Sequence, residues 1–145
     1  MALYKHDRSI LSLNGYEITA WDESSDSFSL APAGDDGAYT IGAGGRGVFV
    51  FTGNESGILT FKLLQHSADN KFLCDLRNQI LNSQSAPTPI EMYFKDTWNG
   101  DELVGQAGFF TTPPTHARGT AHNPNTWVIQ FERVIPKLAK GALND

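Results

Sequence analysis

The apolar residues of this chain come in short runs of alternating period, and only one stretch has the spacing of a helix. The 14 glycines and 7 prolines are scattered between those runs, as expected where many short strands are joined by turns. A chain patterned in this way must build its core from antiparallel strands. The first hairpin is predicted over 9–22, where Asn14-Gly15 supplies the two positive-φ positions of a type I′ turn. Phe28 and Leu30 alternate with serines in a half-buried strand that Pro32 stops. VFVF at 48–51 and ILTFKLL at 58–64 read as two strong strands around the turn 53–57. In the second of these, Leu59, Phe61 and Leu63 share one face, and Ile58, Thr60, Lys62 and Leu64 share the other.

Ser67 is placed to cap a helix of about 14 residues, with Phe72, Leu73, Leu76 and Ile80 as its apolar stripe. The prolines of 83–89 end it. Strands resume with Ile90, Met92 and Phe94 alternating, then the turn 97–101 and a run over 102–110. A loop at 113–125 precedes a last strand, 127–135, with Trp127, Ile129 and Phe131 on one side. The expected fold is mainly β, an antiparallel β-sandwich or small barrel of about eight strands with one flanking α-helix, in a single domain over 1–145.

Residues 33–47 do not fit that core. They are mostly Gly, Ala and Asp, with Tyr39 and Ile41 the large apolar groups. Flanked by strands, they read as an extended hairpin arm over about 31–48 that needs a surface to lie against. Charge is unevenly placed as well. Glu17, Asp22, Glu23, Asp26, Asp35 and Asp36 lie between Arg8 and Arg46 with no basic residue among them, and Arg133, Lys137 and Lys140 fall near the C-terminus. That pattern fits either two solvated surfaces or acidic and basic ends that let copies stack head to tail. The net charge of −5 argues against tight binding to nucleic acid.

The motifs that carry chemistry are missing. Gly42, Gly44 and Gly47 have dinucleotide-loop spacing, but the strand VFVF follows where a helix is required. His6, His66, His116 and His122 form no helical ligand pair, although His116 and His122 share a loop; no metal site and no cofactor are expected. There is no nucleophile elbow, no calcium loop and no convergent carboxylate pair, Asp35 and Asp36 being adjacent and divergent. The sequon at 54–56 reads as a tight turn. Cys74, the single cysteine, reads as a small helix residue, and it cannot form an internal disulfide, which suits synthesis in a reducing cytoplasm. No apolar run approaches the roughly 18 to 20 residues that span a bilayer, and the N-terminal residues lack the apolar stretch of a secretory signal, so no membrane anchoring is expected. The chain is not expected to be an enzyme.

From Ser25 to Leu76 the order of residues resembles the tail tube proteins of contractile-tailed bacteriophages. The features are a strand carrying Phe28, the Gly34-Asp35-Asp36-Gly37 arm, the turn at Asn54, Ser56 and Gly57, and an apolar strand ending in Leu63-Leu64-Gln65 before a Ser67-led helix start. The Leu13–Ile18 hairpin and the Trp127-led final strand fit the same order. The resemblance implies two packed sheets with a helix on the flank, in a virion protein that forms hexameric rings. Those rings stack into a tube through which DNA is ejected without specific binding. Sheath and baseplate proteins are the implied partners. On that reading Asp35, Asp36, Tyr39, Ile41 and Arg46 are inter-subunit contacts of the arm, with Lys137 and Lys140 as a complementary surface. Thr60, Gln106, Gln130 and Glu132 are lumen candidates by strand alternation. A terminator or baseplate-proximal tube protein is the alternative on the same fold. A carbohydrate-binding β-sandwich using Trp21, Trp98 and Trp127 is the alternative from another class, and a small hydrolase the third.

Overall fold

The computed structural model describes residues 1–143. Among these the chain forms nine strands, one α-helix and a 3-10 turn at His6–Arg8. The strands are β1 (Ser9–Leu13), β2 (Tyr16–Ile18), β3 (Phe28–Pro32), β4 (Gly37–Ile41), β5 (Gly47–Phe51), β6 (Gly57–Leu63), β7 (Ile90–Asp96), β8 (Glu102–Thr115) and β9 (Asn125–Lys137); the helix, α1, spans Ala68–Leu81. Seven strands form one antiparallel sheet in the order β2-β1-β7-β8-β9-β6-β3, and β4 and β5 pair only with each other. The protein is therefore mainly β with one helix, as the alternating apolar runs predict.

The two packed sheets implied by the resemblance are realised as one hydrogen-bonded sheet folded on itself. β8 and β9 are long because each serves both halves. Residues 102–108 of β8 pair with β7 and with the end of β9, whereas residues 125–131 of β9 pair with β6. At the fold, Gln106 and Ala107 bulge opposite Glu91, with Ala107 at φ 55°. Gly105 and Gly108 let the Phe131 ring lie against the backbone there; a Cβ on Gly108 would come within 2.4 Å of it. The halves meet through stacked rings of Phe28 on β3 and Phe94 on β7, 4.5 Å apart. After β2 the chain crosses to the far edge, where Trp21 bridges Leu63 and the Leu64 N–H donates to the Ala20 carbonyl.

Alternation fixes the core. Leu59, Phe61 and Leu63 of β6 and Trp127, Ile129 and Phe131 of β9 are all buried, with Leu11, Leu13, Ile90 and Met92 facing them. Asn14 and Gly15 turn β1 into β2 at φ 51° and 85°, as their sequence predicts. Ser67 caps α1 by accepting the Asn70 N–H, and Leu73 sinks into the core with Phe72, Leu76 and Ile80 at its margin. Asn70 then links three elements, because its amide accepts the Trp127 indole N–H at 3.0 Å and donates to the Leu64 carbonyl at 2.7 Å.

Two boundaries differ from the sequence reading. β8 runs through Pro113 and Pro114 to Thr115, so the following loop shrinks to 116–124; register shifts on either side of Thr112 accommodate the prolines. VFVF is a strand, but it does not join β6 and contributes nothing to the core.

Candidate assembly surface

β4 and β5 form a hairpin that leaves the body after Pro32 and returns at Gly57. Its register pairs Gly37 with Phe51, Tyr39 with Phe49 and Ile41 with Gly47 on one face, and Ala38 with Val50 and Thr40 with Val48 on the other. The tip is closed by the Gly42 N–H donating to the Arg46 carbonyl at 2.8 Å, and Gly45 takes φ 86°. At the root the Thr52 N–H donates to the Asp36 carbonyl at 2.9 Å, and the Thr52 hydroxyl donates to the carbonyl of Asp35.

The first face is an aromatic ribbon. Tyr39 and Phe49 meet edge to face at 4.8 Å, and so do Phe49 and Phe51. Glycines opposite the large groups make the packing close, since a Cβ on Gly37 would strike the Phe49 ring and one on Gly47 would strike Ile41. The opposite face carries Val48 and Val50. Every residue of β5 is exposed, Phe51 by 79% and Val48 by 65%, and Tyr39 and Ile41 are exposed as well. A two-stranded hairpin alone is at best marginally stable in water, and contiguous exposed apolar surface of this kind marks an interaction site.

The sequence candidates fall into several groups. Asp35, Asp36, Tyr39, Ile41 and Arg46 all lie on the hairpin or its root. Val48, Phe49, Val50 and Phe51 belong with them, although their apolar character reads in sequence as core. The signal that separates them is two-sidedness, because a strand apolar on both faces needs cover on both. Lys137 ends β9 opposite Glu102, and Lys140 lines a shallow depression with Asp96 and Asp101. Asp36 and Pro136 line one cleft, so the acidic arm root and the basic end of β9 are neighbours, not opposite ends of the subunit. Thr60 lies opposite Val128, and Gln130 lies between Ile58 and Phe109, on the face turned away from the core. Gln106 and Glu132 share an open polar hollow with Glu55, Glu91 and Arg133, where Arg133 pairs with Glu55 at 2.6 Å.

The chemical alternatives find no geometry. The Gly42–Gly47 turn joins two strands. His122 accepts the Gln65 N–H through Nε2 and His66 contacts Arg118, and among the described residues no group of three His, Cys, Asp or Glu could hold a metal. Cys74 is exposed on α1. Trp127 is buried, and Trp21 is packed edge-on against His6, Phe28 and Phe61. Trp98 alone of the three is exposed, beneath the Arg8 guanidinium, so they form no sugar-stacking platform.

The folded sheet with a flanking helix and a projecting arm is the fold of contractile injection tube proteins. It is similar to the anti-feeding prophage tube-terminating cap, with a TM-score of 0.60 at 12% identity over 91% of this chain and 89% of that one. It is similar to a chain of the sheath–tube complex of an extracellular contractile injection system, PVC, in the extended state, with a TM-score of 0.59 at 14% identity over 91% and 89%. The sheath/tube terminator of the PVC system matches with a TM-score of 0.61 at 12% identity over 94% and 98%. No curated protein matches the chain in sequence. A family model does, over residues 14–139, and the chain belongs to the Bacteriophage PhiTE tail tube protein family. It is thus a structural component of the phage tail, of tail-tube type, and not an enzyme.

Proposed function

We propose that this chain is the repeating subunit of the tail tube, assembling into hexameric rings that stack and enclose the channel for DNA ejection. The observation that supports this most is the arm. Its apolar residues are exposed on both faces, and the fold offers them no cover within one subunit. Burial against neighbouring copies removes that surface from water at about 25 cal/mol per Å². Asp35, Asp36, Tyr39, Ile41 and Arg46, joined by Val48 through Phe51, are the inter-subunit contacts in this reading. Lys137 and Lys140 are a complementary surface. Sheath and baseplate proteins are the partners in this reading, and the sheath part is supported by the likeness of fold to a chain of the PVC sheath–tube complex.

The lumen is lined by neutral or acidic side chains, with Thr60, Gln106, Gln130 and Glu132 as candidates. A net charge of −5 supports a wall that repels phosphates and lets DNA slide. The protein is made in the bacterial cytoplasm and incorporated into the virion.

Negative-stain electron microscopy of the concentrated protein tests the assembly. The full chain forms rings or hollow tubes, and a variant with 37–51 replaced by a short Gly-Ser turn stays a folded monomer. Tubes from the shortened variant would overturn the role of the arm. Glu132→Lys tests the lumen separately: ejection slows while assembly persists, and unchanged ejection removes Glu132 from the wall. The second reading, a terminator, is favoured by the likeness to a tube-terminating cap and a sheath/tube terminator. Single closed rings that never lengthen would select it.

A further inference from the structure

Resting on the self-assembly reading above, we infer that the cleft at the root of the arm is the receptor for the arm tip of a neighbouring copy. The cleft has a volume of about 330 Å³ and lies between the root and the ends of β8 and β9. Leu30, Pro32, Leu103, Val134 and Pro136 give it apolar walls, and Asp36 and Glu55 place carboxylates at its margin. Pro136 has no N–H to offer, so this stretch of β9 edge receives side chains better than a further strand.

The tip has the matching chemistry. Ile41 is exposed there and Tyr39 two residues nearer the root, and Arg46 is the only Lys or Arg between residues 33 and 56. Neither the Arg46 guanidinium nor the Asp36 carboxylate has a side-chain partner among the described residues, whereas Glu55 already holds Arg133. Ile41 and Tyr39 entering the apolar walls would bring Arg46 to the Asp36 margin, pairing two charges that one subunit leaves apart.

The tip cannot reach the cleft of its own subunit. β4 and β5 form a continuous five-residue ladder, so at about 3.4 Å per residue the tip stands roughly 17 Å from the root. Donor and receptor are thus different patches of one surface. Such a contact is heterologous and repeats from copy to copy until a ring closes or a stack extends.

Disulfide trapping tests the contact. In a Cys74→Ser background, Ile41→Cys and Pro136→Cys proteins are prepared separately, mixed at assembling concentration and oxidised. The expected product is a disulfide between positions 41 and 136, identified by mass spectrometry and at least tenfold more abundant than the symmetric 41–41 and 136–136 disulfides in the same mixture. Adding Arg46→Glu to the first protein abolishes the product, and adding Asp36→Arg to the second restores it. Rings or tubes without a 41–136 disulfide would overturn the cleft as receptor while leaving the arm as an assembly element. Absence of both assembly and disulfide would overturn the inference together with the reading it rests on.

Discussion

The Tyr16 hydroxyl donates a 2.8 Å hydrogen bond to Asp69, 53 residues further along the chain. The same carboxylate accepts the N–H groups of Thr19 and Ala20 at 2.9 Å each, so one buried anion in the first turn of α1 fixes the chain that leaves β2. Asp69→Ala leaves three donors without their acceptor, and a loss of about 3 kcal/mol is expected by urea unfolding. Tyr16→Phe keeps the ring stacked on Phe72 and keeps both backbone bonds, so its loss is smaller. Equal losses in the two variants would mean that the carboxylate is not the anchor.

A second expectation concerns the bend. Phe131 lies on Gly105 and Gly108, and a methyl group on Gly108 would also come within 3.1 Å of Ile129. Both neighbours are fully buried and cannot move aside. Gly108→Ala therefore costs about 1–3 kcal/mol and lowers the melting temperature. Gly44→Ala, whose Cβ would meet nothing within 4 Å, serves as the control and changes the melting temperature little.

These positions show how far the sequence carries the fold. Asn14-Gly15, Ser67 and the alternation in β6 and β9 are local signals, and each is legible because the nearest neighbours decide the conformation. VFVF is different. Its partner is the Gly- and Ala-rich run 37–41, and an apolar strand of four residues looks the same in sequence whether a core or another subunit covers it. The division of β8 and β9 between two halves of one sheet was also hidden, since it depends on which strand pairs with which end. The juxtaposition of Asp36 and Pro136 is a product of that bend, so the cleft has no sequence signature at all.

Stability should be bounded by two titrations. The Ser24 hydroxyl, with the N–H groups of Ser24 and Glu23, holds Asp22 below its ordinary value of 3.8 against the opposing effect of burial, and the charge of His122 adds to the lowering. A lowered value in the fold means stability that is present above pH ~3.8 and lost as pH falls through the folded value. The bond to Asp69, with burial and its charge, raises Tyr16 above 10.0. That contribution is present below pH ~10 and is lost as pH rises through the folded value. The expected profile is flat at neutral pH with limbs on both sides. Asp22→Asn flattens the acid limb and Tyr16→Phe the alkaline one, and chemical unfolding across pH would show a limb unchanged by its variant if another group sets it.

The arm makes the clearest separation between stability and assembly. Ile41 is 60% exposed and Phe51 79% exposed, so within one subunit their side chains shield little. Ile41→Ser and Phe51→Ser should each change the unfolding free energy by less than about 0.5 kcal/mol, as surface substitutions do. In the assembly proposed above the same side chains would be covered, and removing either would take away apolar contact at every repeat. A loss of even about 1.4 kcal/mol per contact weakens that contact tenfold, and the effect compounds along a stack. Analytical ultracentrifugation should therefore show monomer at concentrations where the parent chain sediments as large assemblies. If the serine variants assemble like the parent, the exposed ribbon is not the adhesive face; if they unfold instead, Ile41 and Phe51 support the subunit itself.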